Sequence, residues 1–247
     1  MILRETCARS ILVKSQVSDY AVNPYVGCQH RCTYCYARFM KRFTGHKEPW
    51  GEFVDMKVNA PDLLRQEINR KAPGRVWISG VCDPYQPTEK KYELTRKCLE
   101  ILVGCDWPIT VQTKSSLVLR DIDLFRRSAN IEVGLSITTG HDDTRKLFEP
   151  NAPSIAERIK ALGQLHDAGV TTYAMIAPML PGADGLAVQL SGKADYVLID
   201  RMNYHYGDWA YTKYHLERAL SYDFFRSKGK ELARAFADQG TECRVLF

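Results

Sequence analysis

No apolar run in this chain approaches the roughly 18 residues that a membrane-spanning helix requires, so a helical membrane protein is excluded. Internal repeats, Gly/Ser linkers and low-complexity tracts are also missing, which excludes a solenoid, a string of tethered modules and a disordered scaffold. A surplus of one charge sign is scarce. The chain has 34 Lys and Arg against 29 Asp and Glu, a formal charge of +5. That balance permits an anionic partner without demonstrating one. The first residues, Met1 to Arg9, carry charges where a signal peptide would have its apolar region. Secretion is therefore not expected, and a cytoplasmic location is.

What remains is an ordinary globular composition, 45% hydrophobic and 26% charged over 247 residues. The length suits one domain. From residue 60 onward, short strand-forming runs alternate with amphipathic helices. Strands are expected near Tyr20 to Val26, Arg75 to Ser79, Ile109 to Thr113, Ile131 to Thr138, Thr171 to Ile176 and Tyr196 to Ile199. Helices are expected over Pro61 to Arg70, Glu89 to Val103 and Arg120 to Ser128. A further helix opens on a Ser154/Glu157 capping box and stops at Gly169. This alternation predicts an α/β fold, an open, partial TIM-type barrel of about six βα units. A single domain over 1–247 is expected: a short N-terminal extension, a core over about 18–202, and a helical, aromatic-rich cap over about 203–247.

The eight cysteines carry the chemistry. In a reducing compartment, closely spaced cysteines point to metal binding or catalysis rather than disulfides. Cys28, Cys32 and Cys35 fall within eight residues just past the first strand. Three thiolates suffice for three corners of a [4Fe–4S] cubane and leave the fourth iron open to a substrate or cofactor. Structural zinc would want four ligands, and no second cysteine pair lies downstream. His30, inside the loop, is expected to be solvated or to support the ligands.

The pattern Cys28-x3-Cys32-x-Tyr34-Cys35 resembles the signature of the radical S-adenosylmethionine (SAM) superfamily. More narrowly, nearly the whole chain resembles the spore-photoproduct-lyase-like family, often labelled DNA-repair photolyase. Asn23-Pro24-Tyr25, the block Gly80 to Pro87, Thr113-Lys114-Ser115, Arg120-Asp121, Ala177-Pro178 and Pro181-Gly182 carry that resemblance. It implies that Cys28, Cys32 and Cys35 hold the cluster and that SAM chelates the open iron. Reductive cleavage of SAM would then give a 5′-deoxyadenosyl radical that takes hydrogen from a substrate. It further implies a reduced flavodoxin- or ferredoxin-type electron donor; it leaves the substrate unidentified, with nucleic acid one candidate.

By the same resemblance Tyr34 packs near the adenine, with Tyr36 a further SAM contact. Gly80 and Asp83, at the end of the second strand, receive the methionyl amino group, and Lys114 pairs with the carboxylate. A helix-entry turn is the alternative for Asp83, and a solvated surface position for Lys114. Ser136 and Thr138 alternate along the fourth strand and so share a face; they either reach the ribose or bond backbone. Cys82 and Tyr85 are the candidate catalytic residues. The family's hydrogen-donating thiol aligns with Gly80, which leaves Cys82 either as its replacement or as a small buried residue. Tyr85 and Gln86 sit where a substrate would arrive, with Asp200 and Asn203 as weaker candidates. Glu149 and Arg158 flank the capped helix as a candidate salt bridge.

Two other functions compete. Cys7, Cys98, Cys105 and Cys243 could serve a second cluster for sulfur insertion, although no tight second trio exists. A non-enzymatic iron–sulfur or nucleic-acid-binding module is the other, for which the segment Arg38 to Phe43 with His46, Lys47 and Trp50 supplies basic and aromatic residues. The same alternation also suits an amphipathic helix covering the barrel.

Overall fold

The computed structural model describes residues 1–247. Its strands are β1 Ile2–Thr6, β2 Leu12–Lys14, β3 Tyr20–Val22, β4 Tyr25–Val26, β5 Phe53–Lys57 and β6 Val76–Ile78. The remainder are β7 Ile109–Thr113, β8 Ile131–Ser136, β9 Thr171–Ile176, β10 Tyr196–Ile199 and β11 Glu242–Val245. Eight of them form one sheet in the order β11-β10-β9-β8-β7-β6-β3-β2, parallel throughout except for the β2–β3 pair. Helices cross between successive parallel strands, so the fold is the expected α/β arrangement of a partial TIM-type barrel. β2 and β11 stand at its two ends.

Side chains alternate along the strands and divide the sheet into two environments. Ile109, Val111, Val133, Leu135, Ile176 and Val197 are buried with Leu99, Leu162, Leu165 and Phe236 of the covering helices in one apolar core. The opposite parity is polar. Gln112 Nε2 donates to Ser136 Oγ at 3.2 Å, and Tyr196 OH donates to Glu132 Oε2 at 2.7 Å. Gly134 is paired with Tyr173, and a Cβ there would lie 2.1 Å from the Tyr173 ring. The missing side chain lets that ring fill the interior.

Four elements depart from the expected pattern, among them the helix expected over Arg120 to Ser128, which is a 3-10 turn through Asp121 followed by the short helix Ile122–Phe125. The first strand is two: Asn23-Pro24 interrupts it, β3 joins the main sheet, and β4 pairs with β5 in a separate three-stranded sheet that includes β1. The helix expected over Glu89 to Val103 breaks at Glu93, whose φ of 53° lies in the left-handed region. The C-terminal segment is not wholly helical. After the helix Tyr222–Asp238, capped by Ser221, the chain returns as β11 and adds a parallel strand beside β10. The capping box at Ser154 and Glu157 is present as expected, opening the helix Ile155–Asp167.

Candidate radical chemistry site

The three-cysteine loop leaves β4 through Gly27, whose φ is +92° and where a Cβ would lie 2.2 Å from the Phe53 carbonyl oxygen. Cys28 is buried, while Cys32 and Cys35 are half-buried. A 3-10 helix, Tyr36–Phe43, follows. Burial pushes all three thiols up, Cys32 to about 12, because an isolated thiolate loses its hydration there. Lys114 and Arg158 oppose that effect at Cys32, and the Ala37 backbone N–H, Lys114 and Arg38 oppose it at Cys35. This donor set fits an iron–sulfur cluster: three soft ligands on one loop, with fixed positive charge beside them and no fourth cysteine in the loop. No group of His, Cys, Asp and Glu converges on a single ion.

The loop is held from two sides. From the end of β6, the Gln86 side-chain amide accepts from Gln29 N at 3.0 Å and donates to Gly27 O at 3.1 Å. Gln29 Oε1 in turn accepts from Thr88 N at 2.7 Å and from Thr88 Oγ1 at 2.6 Å. His30 Nδ1 lies 3.3 Å from Asp83 Oδ2, both side chains buried, so His30 supports the loop and is not solvated. From the segment after β8, Asn151 Nδ2 donates to Gln29 O at 3.1 Å and Thr33 N donates to Phe148 O at 2.8 Å. Nothing in the spacing of these glutamines announced this role. A polar side chain that must be wholly buried was the only available signal.

Asp83 is engaged throughout. Besides His30, it accepts from Tyr85 N at 2.9 Å, Thr113 Oγ1 at 2.6 Å and Lys114 N at 2.7 Å. Burial opposes its charge, but His30, Thr113 and the Lys114 amide outweigh burial and hold the carboxyl down to about 2. The turn onto Tyr85 is therefore real, and the same carboxylate ties the ends of β6 and β7 to the cysteine loop. Gly80, half-buried just beyond β6, accepts from the Tyr36 hydroxyl through its carbonyl.

Tyr85 is corrected. Its side chain is wholly buried and its hydroxyl donates to Asp121 Oδ2 at 2.9 Å, so it faces the protein and not an arriving substrate. Gln86, also wholly buried, faces the cysteine loop. Cys82 is half-buried, with Sγ 3.5 Å from the Tyr25 carbonyl oxygen; burial pushes its thiol up to about 12. Its contact with Tyr25, three residues before Cys28, places it beside the start of the loop.

Lys114 is not a solvated surface lysine. Its Nζ lies 3.8 Å from Glu149 Oε1, with the lysine side chain 14% exposed. Burial works against its charge, while Glu149 and Cys32 more than offset that and raise its pKa. Glu149 also accepts from the Tyr34 hydroxyl, from Thr138 Oγ1 at 3.0 Å, and pairs with Arg158 Nη2 at 2.6 Å. Arg158, Lys114 and Tyr34 overcome the effect of burial and hold Glu149 down to about 2. The candidate ion pair Glu149–Arg158 exists, and it reaches into the site. Tyr34 is buried against Phe148, Leu180, Ala210 and Tyr211. The exposed aromatic of the loop is Tyr36, whose ring stacks at 5.8 Å on Tyr204, itself 6.2 Å from Tyr206. Arg38 lies 4.9 Å over the Tyr206 ring.

Ser136 and Thr138 are both buried and bond side chains, Gln112 and Glu149, rather than backbone. Asp200 and Asn203 bond each other at 2.6 Å. The remaining cysteines are spread over three elements: Cys7 after β1, Cys98 and Cys105 in and at the end of the helix Leu94–Gly104, and Cys243 on β11.

Comparison with known proteins identifies the family. The Radical SAM superfamily model matches residues 22–184. An uncharacterised protein of Methanocaldococcus jannaschii is 42% identical over 164 residues, 66% of this chain and 61% of its own length. A protein of Pseudomonas phage M6 named radical SAM Nalpha-GlyT isomerase is 26% identical over 161 residues, 64% of this chain and 33% of its own length. The chain thus spans less than two thirds of either relative. Spore photoproduct lyase complexed with dinucleoside spore photoproduct superposes with a TM-score of 0.71 at 18% identity, covering 99% of this chain and 82% of that one, a likeness of fold. The matched region runs from β3 past β9 and contains the cysteine loop, Asp83, Lys114 and Glu149, and by that match the chain belongs to the radical SAM superfamily.

Proposed function

We propose that this chain reductively cleaves SAM at a [4Fe–4S] cluster held by Cys28, Cys32 and Cys35 and abstracts hydrogen from a nucleic-acid substrate. The observation that carries the reading is the three-thiol loop seated at the C-terminal ends of β6 and β7, where chemistry gathers in βα barrels. Bound there, the cluster and SAM supply an electron, a sulfonium leaving group and a 5′-deoxyadenosyl radical.

The chain's own groups bind and orient. Lys114 presents a fixed cation to the methionyl carboxylate, held by Glu149 and by the hydrogen bond from its own N–H to Asp83. The Gly80 carbonyl, together with the charge of Asp83, favours the amino group. Ser136 offers a hydroxyl on the interior face for the ribose, Thr138 is wholly buried and holds Glu149 behind it, and Tyr36 offers an exposed ring for the adenine. Cys82 keeps its proton at neutral pH and is the candidate hydrogen donor. Phe225, Leu232 and Phe236 of the C-terminal segment share the core of the barrel, which supports core and cap working as one domain.

Support for the substrate class comes from the exposed rings of Tyr204 and Tyr206 with Arg38, beside Lys41 and Arg42, since aromatics stack bases and cations track phosphates. The superposed lyase structure holds a dinucleoside ligand. A reduced flavodoxin- or ferredoxin-type protein would supply the electron, which fits a cytoplasmic setting. No helix is long and apolar enough to cross a membrane. The test is deuterium transfer into 5′-deoxyadenosine from labelled oligonucleotides under anaerobic reducing conditions. Transfer supports the nucleic-acid reading; transfer only from a peptide or small molecule contradicts it.

A further inference from the structure

Cys28 is flanked on both sides by one side chain. Gln86 Nε2 donates to the carbonyl of Gly27, the residue before Cys28, and Gln86 Oε1 accepts from the N–H of Gln29, the residue after it. A primary amide offers a donor and an acceptor in a fixed plane, so it pairs with the main chain as a neighbouring strand would. It thereby fixes the peptide units on either side of Cys28, and with them the direction of its Cα–Cβ bond. Gln86 is wholly buried, so water is not at hand to replace either bond. The tie is returned: Gln29 Oε1 accepts two hydrogen bonds from Thr88, two residues beyond Gln86.

We infer that Gln86 and Gln29 form a reciprocal amide bracket that holds the cysteine loop in its ligating shape before iron arrives, with Gln86 the positioning residue for Cys28. This rests on the reading that the loop binds the cluster. Every bond of the bracket joins two groups of the chain itself, so none of them requires iron as a partner. Loop order would therefore precede iron binding, and the ordering entropy would not be taken from the cluster's affinity. It also joins the loop to the segment that carries Gly80 and Asp83, so the two halves of the site are placed as one body.

The test compares wild type with Gln86→Met, which keeps the volume and removes both hydrogen bonds, and with Thr172→Val as a control. Thr172 is also wholly buried and bonded through its side chain, at 2.9 Å to Asp195, but lies at the opposite end of its strand. In the cluster-free protein, the Gln29 amide is expected to be protected from hydrogen exchange, and to lose that protection in Gln86→Met alone. After reconstitution, Gln86→Met is expected to release iron to a chelator about tenfold faster than wild type, the scale on which outer-sphere partners act at metal sites. Thr172→Val should release it at the wild-type rate. Gln29→Met, at a half-buried position, disturbs the core less and should give a smaller acceleration in the same direction. Wild-type iron release in both glutamine variants, or equal acceleration in Thr172→Val, overturns the bracket. A wild-type chain that takes up no iron, or a Cys32→Ala chain that takes up as much, instead overturns the cluster reading beneath it.

Discussion

Arg158 Nη2 lies 2.6 Å from Glu149 Oε2 with both side chains wholly buried. The pair joins the capped helix to the segment after β8, and the same carboxylate reaches Tyr34 in the cysteine loop and Lys114 at the end of β7. One carboxylate stands between two cations, which leaves a surplus of positive charge beside Cys32. That surplus suits both an anionic cluster and a ligand carboxylate.

Breaking this pair from the cationic side should cost much more than losing an exposed ion pair. Arg158→Met leaves the Glu149 charge buried with only part of its compensation, a change expected to destabilise the chain by about 3–5 kcal/mol. Urea unfolding of the cluster-free protein at neutral pH measures it. A loss below about 1 kcal/mol, the value of a surface pair, contradicts the burial argument.

Acid should weaken the fold through two carboxylates. Glu149 falls from an ordinary 4.5 to about 2, and Asp83 from 3.8 to about 2. A carboxyl depressed in the folded state binds its proton more readily when unfolded. The stability it contributes is therefore complete above its unfolded pKa and lost as pH falls through the folded one. Unfolding free energy should decline from about pH 5 toward pH 2, and Glu149→Gln should flatten that slope. An equal slope in wild type and variant contradicts the assignment.

Lys114 should govern ligand affinity in addition to its share in holding the buried Glu149 charge. Lys114→Met removes a charge-assisted contact, expected to weaken binding of unreactive S-adenosylhomocysteine about 10- to 100-fold. Equilibrium dialysis against the reconstituted protein reads this directly. Unchanged affinity removes Lys114 from the carboxylate site.

The tyrosine pair gives a different signature. Tyr204→Ala should weaken binding of a single-stranded oligonucleotide by about 1–3 kcal/mol, the worth of one stacked base. Arg38→Gln should reduce the slope of log affinity against log salt by about 0.7, one phosphate contact on a single strand. Titration by fluorescence anisotropy at several salt concentrations separates the two; no change in either variant places the substrate elsewhere.

Much of this was written locally. Runs such as Ile131-Glu-Val and Tyr196-Val-Leu-Ile place strands by their own residues, and Ser154 with Glu157 marks a helix start. The spacing of the loop cysteines carries the resemblance to the superfamily whose model residues 22–184 then match. β11 was missed because Glu242-Cys-Arg-Val alternates exposed with half-buried positions and holds only as an added strand beside β10. Tyr85 was misplaced because a residue past a strand end can face either way, and here Asp121, 36 positions on, draws it inward. The Tyr34–Glu149 contact spans 115 positions, and no local pattern encodes a partner that distant. Position along the chain marked the candidate residues; only the packed fold showed which of them hold one another.

The central claim is that Cys28, Cys32 and Cys35 bind a cluster with one open iron that cleaves SAM. The direct measurement is iron content and 5′-deoxyadenosine formation after anaerobic reconstitution, wild type against Cys32→Ala. The account expects about four irons per wild-type chain and product under strong reductant, with product abolished in the variant. Undiminished 5′-deoxyadenosine formation by Cys32→Ala would contradict it.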